Sequence, residues 1–389
     1  MEAKQSKKNC IIINFSIYLA LVFSELGCNA AALENKTIDV ISQPSKIQNL
    51  IAYKEQDKFC GWPANEGIWS WGDEILVGFE IAAFSKSEKS HSIDRNSEKY
   101  IYFVRSKDGG QTWMVEKPKD IQPPAYLEDP NMFKTEESKI SRLNEKMDFQ
   151  NPDFTMKLRG NNFYYSYERG HSWKGPFILP DFGQKLIMAR TDYVILNKDE
   201  CLIFISSSQT DGNYGKSLAV KTHNGGLNWE FVGWMTSNFP PEEYKKFSFS
   251  IMPSTIMPGE QKLISALRQR FERDVWIDIY QSDDFGKTWK FLSKAADNIN
   301  NPPSLIKLKD GRLCLIYCKR TEPFGLCAKI SKDEGKTWSQ QIVLRDDALS
   351  WDIGYVRSMQ RPDGKVVCLY YYHTKENPQQ HIAATIWEP

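Results

Sequence analysis

Ser106-Lys107-Asp108-Gly109-Gly110-Gln111-Thr112-Trp113 returns as Ser282-Asp283-Asp284-Phe285-Gly286-Lys287-Thr288-Trp289 and as Ser331-Lys332-Asp333-Glu334-Gly335-Lys336-Thr337-Trp338. Two looser copies keep the frame: Ser166-Tyr167-Glu168-Arg169-Gly170-His171-Ser172-Trp173 and Thr222-His223-Asn224-Gly225-Gly226-Leu227-Asn228-Trp229. The form Ser-x-Asp-x-Gly-x-Thr-Trp reads as a hairpin turn. Its Asp accepts backbone N–H groups, its Gly takes positive φ, and its Trp packs beneath the loop. The Trp positions lie roughly fifty to sixty residues apart, in the range of repeat units that each bury an apolar face on the next.

A second repeat runs out of phase with the first. It opens at Gly61-Trp62-Pro63, Asn151-Pro152-Asp153, Arg190-Thr191-Asp192, Met252-Pro253-Ser254, Pro302-Pro303-Ser304 and Gly354-Tyr355-Val356. Each opening leads through an apolar run, a Gly/Asp/Asn turn such as Lys309-Asp310-Gly311 or Pro362-Asp363-Gly364, and a second apolar run, so each copy reads as a β-hairpin. Adding the strands around the following Ser-x-Asp-x-Gly-x-Thr-Trp turn gives four strands per unit. Six units fill residues 58–389, which predicts an all-β, six-bladed β-propeller of four-stranded antiparallel blades. The sixth unit has no such turn after it, so an N-terminal strand within residues 32–57 is expected to complete it. Thr37–Ile41 and Leu50–Tyr53 are the candidates, the second being favoured.

The 389 residues carry a net charge of +1 and no basic stripe interleaved with aromatics, which argues against a nucleic-acid partner. Lys4, Lys7 and Lys8 precede an apolar run from Ile11 to Phe23 and the small residues Gly27-Cys28-Asn29-Ala30-Ala31. That order is a secretory leader over residues 1–31, with Cys28 as an alternative lipid-anchor site, and its apolar part is too short for a comfortable membrane span. An exported monomer without a transmembrane domain is expected. Most of the remaining cysteines, such as Cys314, Cys318 and Cys368, sit inside apolar strand patterns, where the residue acts as a small hydrophobe. Few or no disulfides are expected, and no Cys or His pair has metal-ligand spacing.

The repeated turn is similar to the Asp-box, or bacterial neuraminidase repeat, and the chain after the leader resembles the sialidase-like six-bladed propellers as a divergent member. In that family the boxes lie away from the catalytic centre and hold the blades, so function is sought where hairpins open or close at the opposite rim. The resemblance implies three arginines that clamp a substrate carboxylate, an Asp acid/base and a Tyr nucleophile. Guanidinium groups bind carboxylates bidentately, and a neutral phenol avoids repelling an anionic sugar. Arg268 and Arg320, closing the fourth and fifth hairpins, match clamp arginines. Tyr355 stands where the nucleophile does, and Asp94, in the loop before the first box, matches the acid/base. His91 is the alternative proton-transfer group.

Two departures stand out. Gly61-Trp62-Pro63 occupies the place of the family's Arg-Ile-Pro motif, and Ser250-Ile251-Met252-Pro253 stands where a Glu normally partners the tyrosine. Arg190, Arg357 or Arg95 is expected to replace the absent guanidinium. Trp62 is a candidate sugar-stacking surface, and Glu80 a support for the site. The function expected is a cofactor-free, metal-free exo-acting glycoside hydrolase that releases a terminal acidic sugar, such as sialic acid, from a glycan. Two alternatives stay open: a lyase or glycosidase acting on uronic-acid glycans, and a non-catalytic glycan-binding propeller.

Overall fold

The computed structural model describes residue 44 and residues 46–121, 141–208, 214–236 and 248–389. The leader, Cys28 and the Thr37–Ile41 stretch lie outside them. Strand β1 (Ile47–Tyr53) precedes β2 (Lys58–Gly61), a single helical turn α1 (Pro63–Glu66), β3 (Ile68–Trp71), β4 (Glu74–Ala83), β5 (Tyr100–Ser106) and β6 (Met114–Glu116). The long β4 is the spine of this sheet. Its second half pairs with β2, Gly61 opposite Glu80, and its first half with β3, Trp71 opposite Glu74. The first hairpin therefore does not run unbroken, as its sequence pattern suggests. Trp62 takes φ 60°, and Pro63, which has no N–H to give a ladder, starts the helical turn instead.

The chain continues through β7 (Thr155–Gly160), β8 (Asn162–Ser166), β9 (Lys174–Ile178), β10 (Ile187–Arg190), β11 (Tyr193–Ile195), β12 (Cys201–Ser208), β13 (Tyr214–Thr222) and β14 (Glu230–Trp234). Then come β15 (Ser248–Ile256), β16 (Leu263–Phe271), β17 (Asp274–Ser282) and β18 (Lys290–Asp297). Successive hairpins here merge into one sheet. Strand β10 pairs with both β7 and β12, and β13 runs parallel to β15 over Tyr214–Lys216 and Ser248–Ser250. Every other pairing among the named strands is antiparallel. Strands β19 (Ser304–Lys307), β20 (Leu313–Lys319), β21 (Gly325–Ser331) and β22 (Ile342–Arg345) form a separate four-stranded meander. The last sheet holds β23 (Gly354–Gln360), β24 (Val366–Tyr372) and β25 (His381–Trp387), with β1 as its fourth strand and Ile47 opposite Trp387.

Central strands such as β24 and β25 are buried along their whole length, which is why they read as continuous apolar runs rather than alternating ones. Cys60, Cys201, Cys314, Cys318, Cys327 and Cys368 are free thiols buried in these layers. The turns between third and fourth strands are held by their own side chains. Asp108 accepts from the N–H groups of Gln111 and Thr112 at 3.0 and 2.9 Å and from the Thr112 hydroxyl at 2.6 Å. Ser106 Oγ accepts the Gly110 N–H at 2.7 Å, and the Trp113 indole donates to the Gly110 carbonyl at 3.0 Å. Asp284 and Asp333 repeat this pattern with Thr288 and Thr337. Among the described residues no helix is long and apolar enough to cross a membrane.

Candidate active site

Three inner strands break at the same kind of residue. Trp62, Met252 and Tyr355 take φ of 60°, 56° and 53°. The ladder loses register at the last two, between Ile251 and Ser254 in β15 and between Gly354 and Arg357 in β23. A left-handed conformation costs a large side chain about 1–3 kcal/mol and persists only where its surroundings enforce it. These residues face one region. The Trp62 and Tyr355 rings lie 6.3 Å apart, and Arg268 Nη1 is 3.7 Å from the Met252 sulfur.

Tyr355 is the centre of that region. Asn301 Oδ1 accepts its backbone N–H at 2.9 Å, and Asn301 Nδ2 donates to the Ile353 carbonyl at 3.0 Å. Burial alone would raise the phenol's pKa, but Arg268, Arg320 and Arg190 outweigh it and pull the phenol below its usual range. Burial lowers the Arg190 guanidinium to about 10, aided by Arg159 and Arg268. The Arg268 guanidinium is lowered by burial too, against the pull of Tyr355. Arg190 donates through Nε to Asn65 Oδ1 at 2.8 Å, and Arg268 through Nη2 to Asn300 Oδ1 at 2.5 Å. Arg190 Nη1 and Arg268 Nε are buried donors with no acceptor among the described residues. An unmet buried guanidinium N–H is costly, so these two groups define a place for an anion.

Arg320 forms the other wall. It donates to the Ile353 carbonyl at 3.0 Å, the Asn300 carbonyl at 3.2 Å and the Tyr371 hydroxyl at 2.7 Å, and it lies over the rings of Trp351 and Tyr355. The Tyr371 hydroxyl donates to Asp352 Oδ1 at 2.9 Å, and the same oxygen lies 2.6 Å from His91 Nδ1. The second Asp352 oxygen accepts from the Ser92 N–H and from Gln380 Nε2. Asp352 is 1% exposed, and burial would raise its pKa. The His91 hydrogen bond, with the Ser92 N–H and Arg320, holds it below the carboxylate range. Burial keeps His91 below its ordinary value despite Asp352, so the ring is neutral at pH 7. An ionised carboxylate can only accept, so Nδ1 carries the proton and the lone pair sits on Nε2. Trp62 and Trp351 flank the ring at 5.2 and 5.5 Å between centroids.

The residues expected from sequence thus divide. Tyr355, Arg268, Arg320, Arg190, His91 and Trp62 come together. Glu80 joins them at one remove: it accepts from Asn65, which holds Arg190, and from Arg159 Nη2 at 2.5 Å. Burial raises the Glu80 pKa against Arg159, with Glu66 adding to the rise. Arg357 is committed elsewhere, donating at 2.8 and 2.6 Å to the carbonyls of Ala64 and Thr191, where it pins α1. Asp94 turns its carboxylate back on the Asn96 N–H at 2.9 Å, in a loop with exposed Arg95. No hydrogen bond among the described residues joins Asp94 to the tyrosine and its arginines. Asn65, Asn300, Asn301 and Tyr371 carry much of the geometry and were not among the expected site residues. Asn300-Asn301 ahead of Pro302-Pro303 reads in sequence only as a strand-opening turn.

The BNR repeat-like domain family matches residues 142–368, more than half of the chain, and the protein belongs to that family. The resemblance carried by the repeated turns is borne out. Among solved structures, a protein of unknown function from Dyadobacter fermentans DSM 18053 is similar at 21% identity and a TM-score of 0.65, covering 88% of this chain and 99% of that one. The phage phi92 endosialidase follows at 9% identity and a TM-score of 0.58, over 89% of this chain and 69% of that one. The α-L-arabinanase of Penicillium chrysogenum, complexed with arabinobiose, is similar at 13% identity and a TM-score of 0.52, over 88% and 98%. At these identities the likeness is one of fold. No curated protein sequence matches the chain.

Proposed function

We propose that the protein is a glycoside hydrolase built on a six-bladed propeller closed by β1, which removes a terminal carboxylate-bearing sugar from a glycan. One observation carries this reading: Tyr355 lies among Arg190, Arg268 and Arg320, two of which present buried N–H groups without an acceptor. The endosialidase and arabinanase among the structural relatives make glycoside chemistry the natural use of such a pocket. The sugar carboxylate sits on the arginines, which places the anomeric carbon beside the Tyr355 oxygen.

Tyr355 acts as the phenolate that its arginines favour: its oxygen forms a bond to that carbon as the glycosidic C–O bond breaks, and His91, having taken a proton from solvent, gives it to the leaving oxygen. Water then attacks the same carbon, returns its proton to His91 Nε2 and frees the tyrosine. His91 takes this role in preference to Asp94 because it shares the pocket through Trp62 and Tyr371. Incubation with sialosides and with glycans ending in uronic acids tests the reading. The expected result is free acidic sugar with no new ultraviolet absorbance. An unsaturated, absorbing product would make the protein a lyase, and binding without turnover would make it a lectin.

A further inference from the structure

Tyr355 has no acidic partner from the start of β15, where Ser250, Ile251 and Met252 stand, so something else must orient it. Two consecutive amides do the holding. Asn301 is fully buried, accepts the Tyr355 N–H at 2.9 Å and donates to the Ile353 carbonyl at 3.0 Å, bracketing Gly354 from both sides. Gly354 takes φ 121°, and a Cβ there would lie 2.2 Å from Asn301 Oδ1, so the glycine and the amide are fitted to each other. Asn300 holds the arginines: its side-chain oxygen accepts from Arg268 Nη2 and its carbonyl from Arg320 Nη1. The Ile353 carbonyl also takes Arg320 Nε, so one peptide group ties Arg320 to the tyrosine's own strand.

We propose that Asn300 and Asn301 are positioning residues that fix the Tyr355 oxygen against Arg268 and Arg320, the task a carboxylate beside the tyrosine would otherwise perform. The device follows from the backbone. A tyrosine at φ 53° is held away from the extended region by its surroundings, here by Asn301 engaging its N–H and the Ile353 carbonyl, and relaxation would move the phenol by more than the tolerance of an aligned reaction. An amide can do this without placing a negative charge beside the phenol. The cluster facing it then comprises Arg190, Arg268 and Arg320, with Asp352 balanced by His91 and Tyr371.

This inference rests on the proposed reaction only for its kinetic arm, so two measurements are paired. The first is ultraviolet difference titration of the phenol, with Tyr355→Phe subtracted to isolate its signal. In Asn301→Ala the Tyr355 transition is expected to move up by at least one pH unit, because the ring leaves the arginines. In Asn300→Ala it moves less, since the backbone carbonyl still holds Arg320. The second is turnover of an acidic-sugar glycoside: kcat falls about 100-fold in Asn301→Ala while KM stays within about threefold, since the arginines still hold the carboxylate. Asn301→Asp keeps the acceptor for the Tyr355 N–H and recovers part of kcat. A Tyr355 transition at the wild-type pH in both alanine variants overturns the proposal, whether or not any glycoside is cleaved. If Asn301→Ala does not fold, Asn300→Ala decides by the same titration. Wild-type protein that cleaves no glycoside, yet shows the titration shift, removes the proposed function and leaves the positioning role standing.

Discussion

The repeated turns and the tyrosine pocket are built from the same chain by opposite rules. In the turns partners lie within a few residues, as Ser106, Asp108, Gly110 and Trp113 show, and the second of two consecutive positive-φ positions is glycine in every copy, the first being Gly109, Arg169, Gly225, Phe285 or Glu334. In the pocket the positive φ falls on Trp62, Met252 and Tyr355, partners lie on distant strands, and guanidinium groups are left with unanswered N–H bonds. The turns are where the fold is stabilised. The pocket is where stability is given up, since buried like charges and left-handed aromatics persist only if the surrounding sheets enforce them. Substitutions of the tyrosine and of the guanidinium groups with unanswered N–H bonds should therefore move turnover and leave stability alone or improve it, while turn substitutions should do the reverse.

The largest effect expected is from Tyr355→Phe. It removes one oxygen from the pocket and leaves the ring packed against Trp62 and Tyr371. Glycoside turnover should fall by about 1,000-fold or more with the melting temperature unchanged, as for loss of a covalent nucleophile. Activity within tenfold of wild type would mean the tyrosine is only a wall. Next comes His91→Gln, with an expected loss of about 100- to 10,000-fold, the usual range for a general acid–base group. Because the folded protein holds His91 below 6.5, turnover of substrates with poor leaving groups should decline as pH rises towards neutrality and persist at acidic pH. Asp94→Asn should leave both rate and profile in place. A profile that follows Asp94 instead would transfer the proton-transfer role to that loop.

Arg190→Met sharpens the comparison further, because it separates the two currencies in one residue. The guanidinium is buried, repelled by Arg159 and Arg268, and satisfied at Nε only by Asn65. A charge-assisted contact to an anion is worth about 1.5–3 kcal/mol, so KM for an acidic sugar should rise roughly 10- to 100-fold. The same change removes a charge that burial, Arg159 and Arg268 oppose more than Tyr355 and Glu80 favour, and should raise the melting temperature. A variant that binds as before, or that melts earlier, would show Arg190 to be a structural strut.

How far these regions were legible in sequence follows from the same contrast. The turns are local: Asp108 bonds to Thr112 four residues away, so their pattern repeats as text and the strand plan can be read from it. Tyr355, Arg268 and Arg320 were visible because each stands where a hairpin of the second repeat opens or closes and is the residue type that the family resemblance implies there. The Gly61-Trp62-Pro63 opening showed that something replaced an arginine, but not that Pro63 would start a helical turn whose Ala64 carbonyl consumes Arg357. Nor does sequence reveal that Asn65 presents Arg190 or that Tyr371 bridges Arg320 to Asp352. Those contacts join residues 125, 51 and 19 positions apart, and only the tertiary packing of the strands brings them together.

The smallest expected effect tests the turns. Asp108→Ala removes a carboxylate that accepts from two backbone N–H groups and a hydroxyl on a largely exposed loop. By analogy with losing a helix cap the cost is about 1 kcal/mol, a shift of roughly 2 °C or less for a chain of this size, with turnover unchanged. Partial burial raises the Asp108 pKa, but the Thr112 hydrogen bonds dominate and bring it down to about 2, and Asp284 and Asp333 are lowered by the matching bonds. A carboxyl more acidic folded than unfolded stabilises the protein at pH values above its unfolded pKa, and that contribution disappears as pH falls through the folded one. The wild type and Asp108→Ala should therefore differ in melting temperature at pH 6 and converge towards pH 2. A difference that stays constant over that range would place the turn's contribution in packing of Trp113 rather than in its carboxylate.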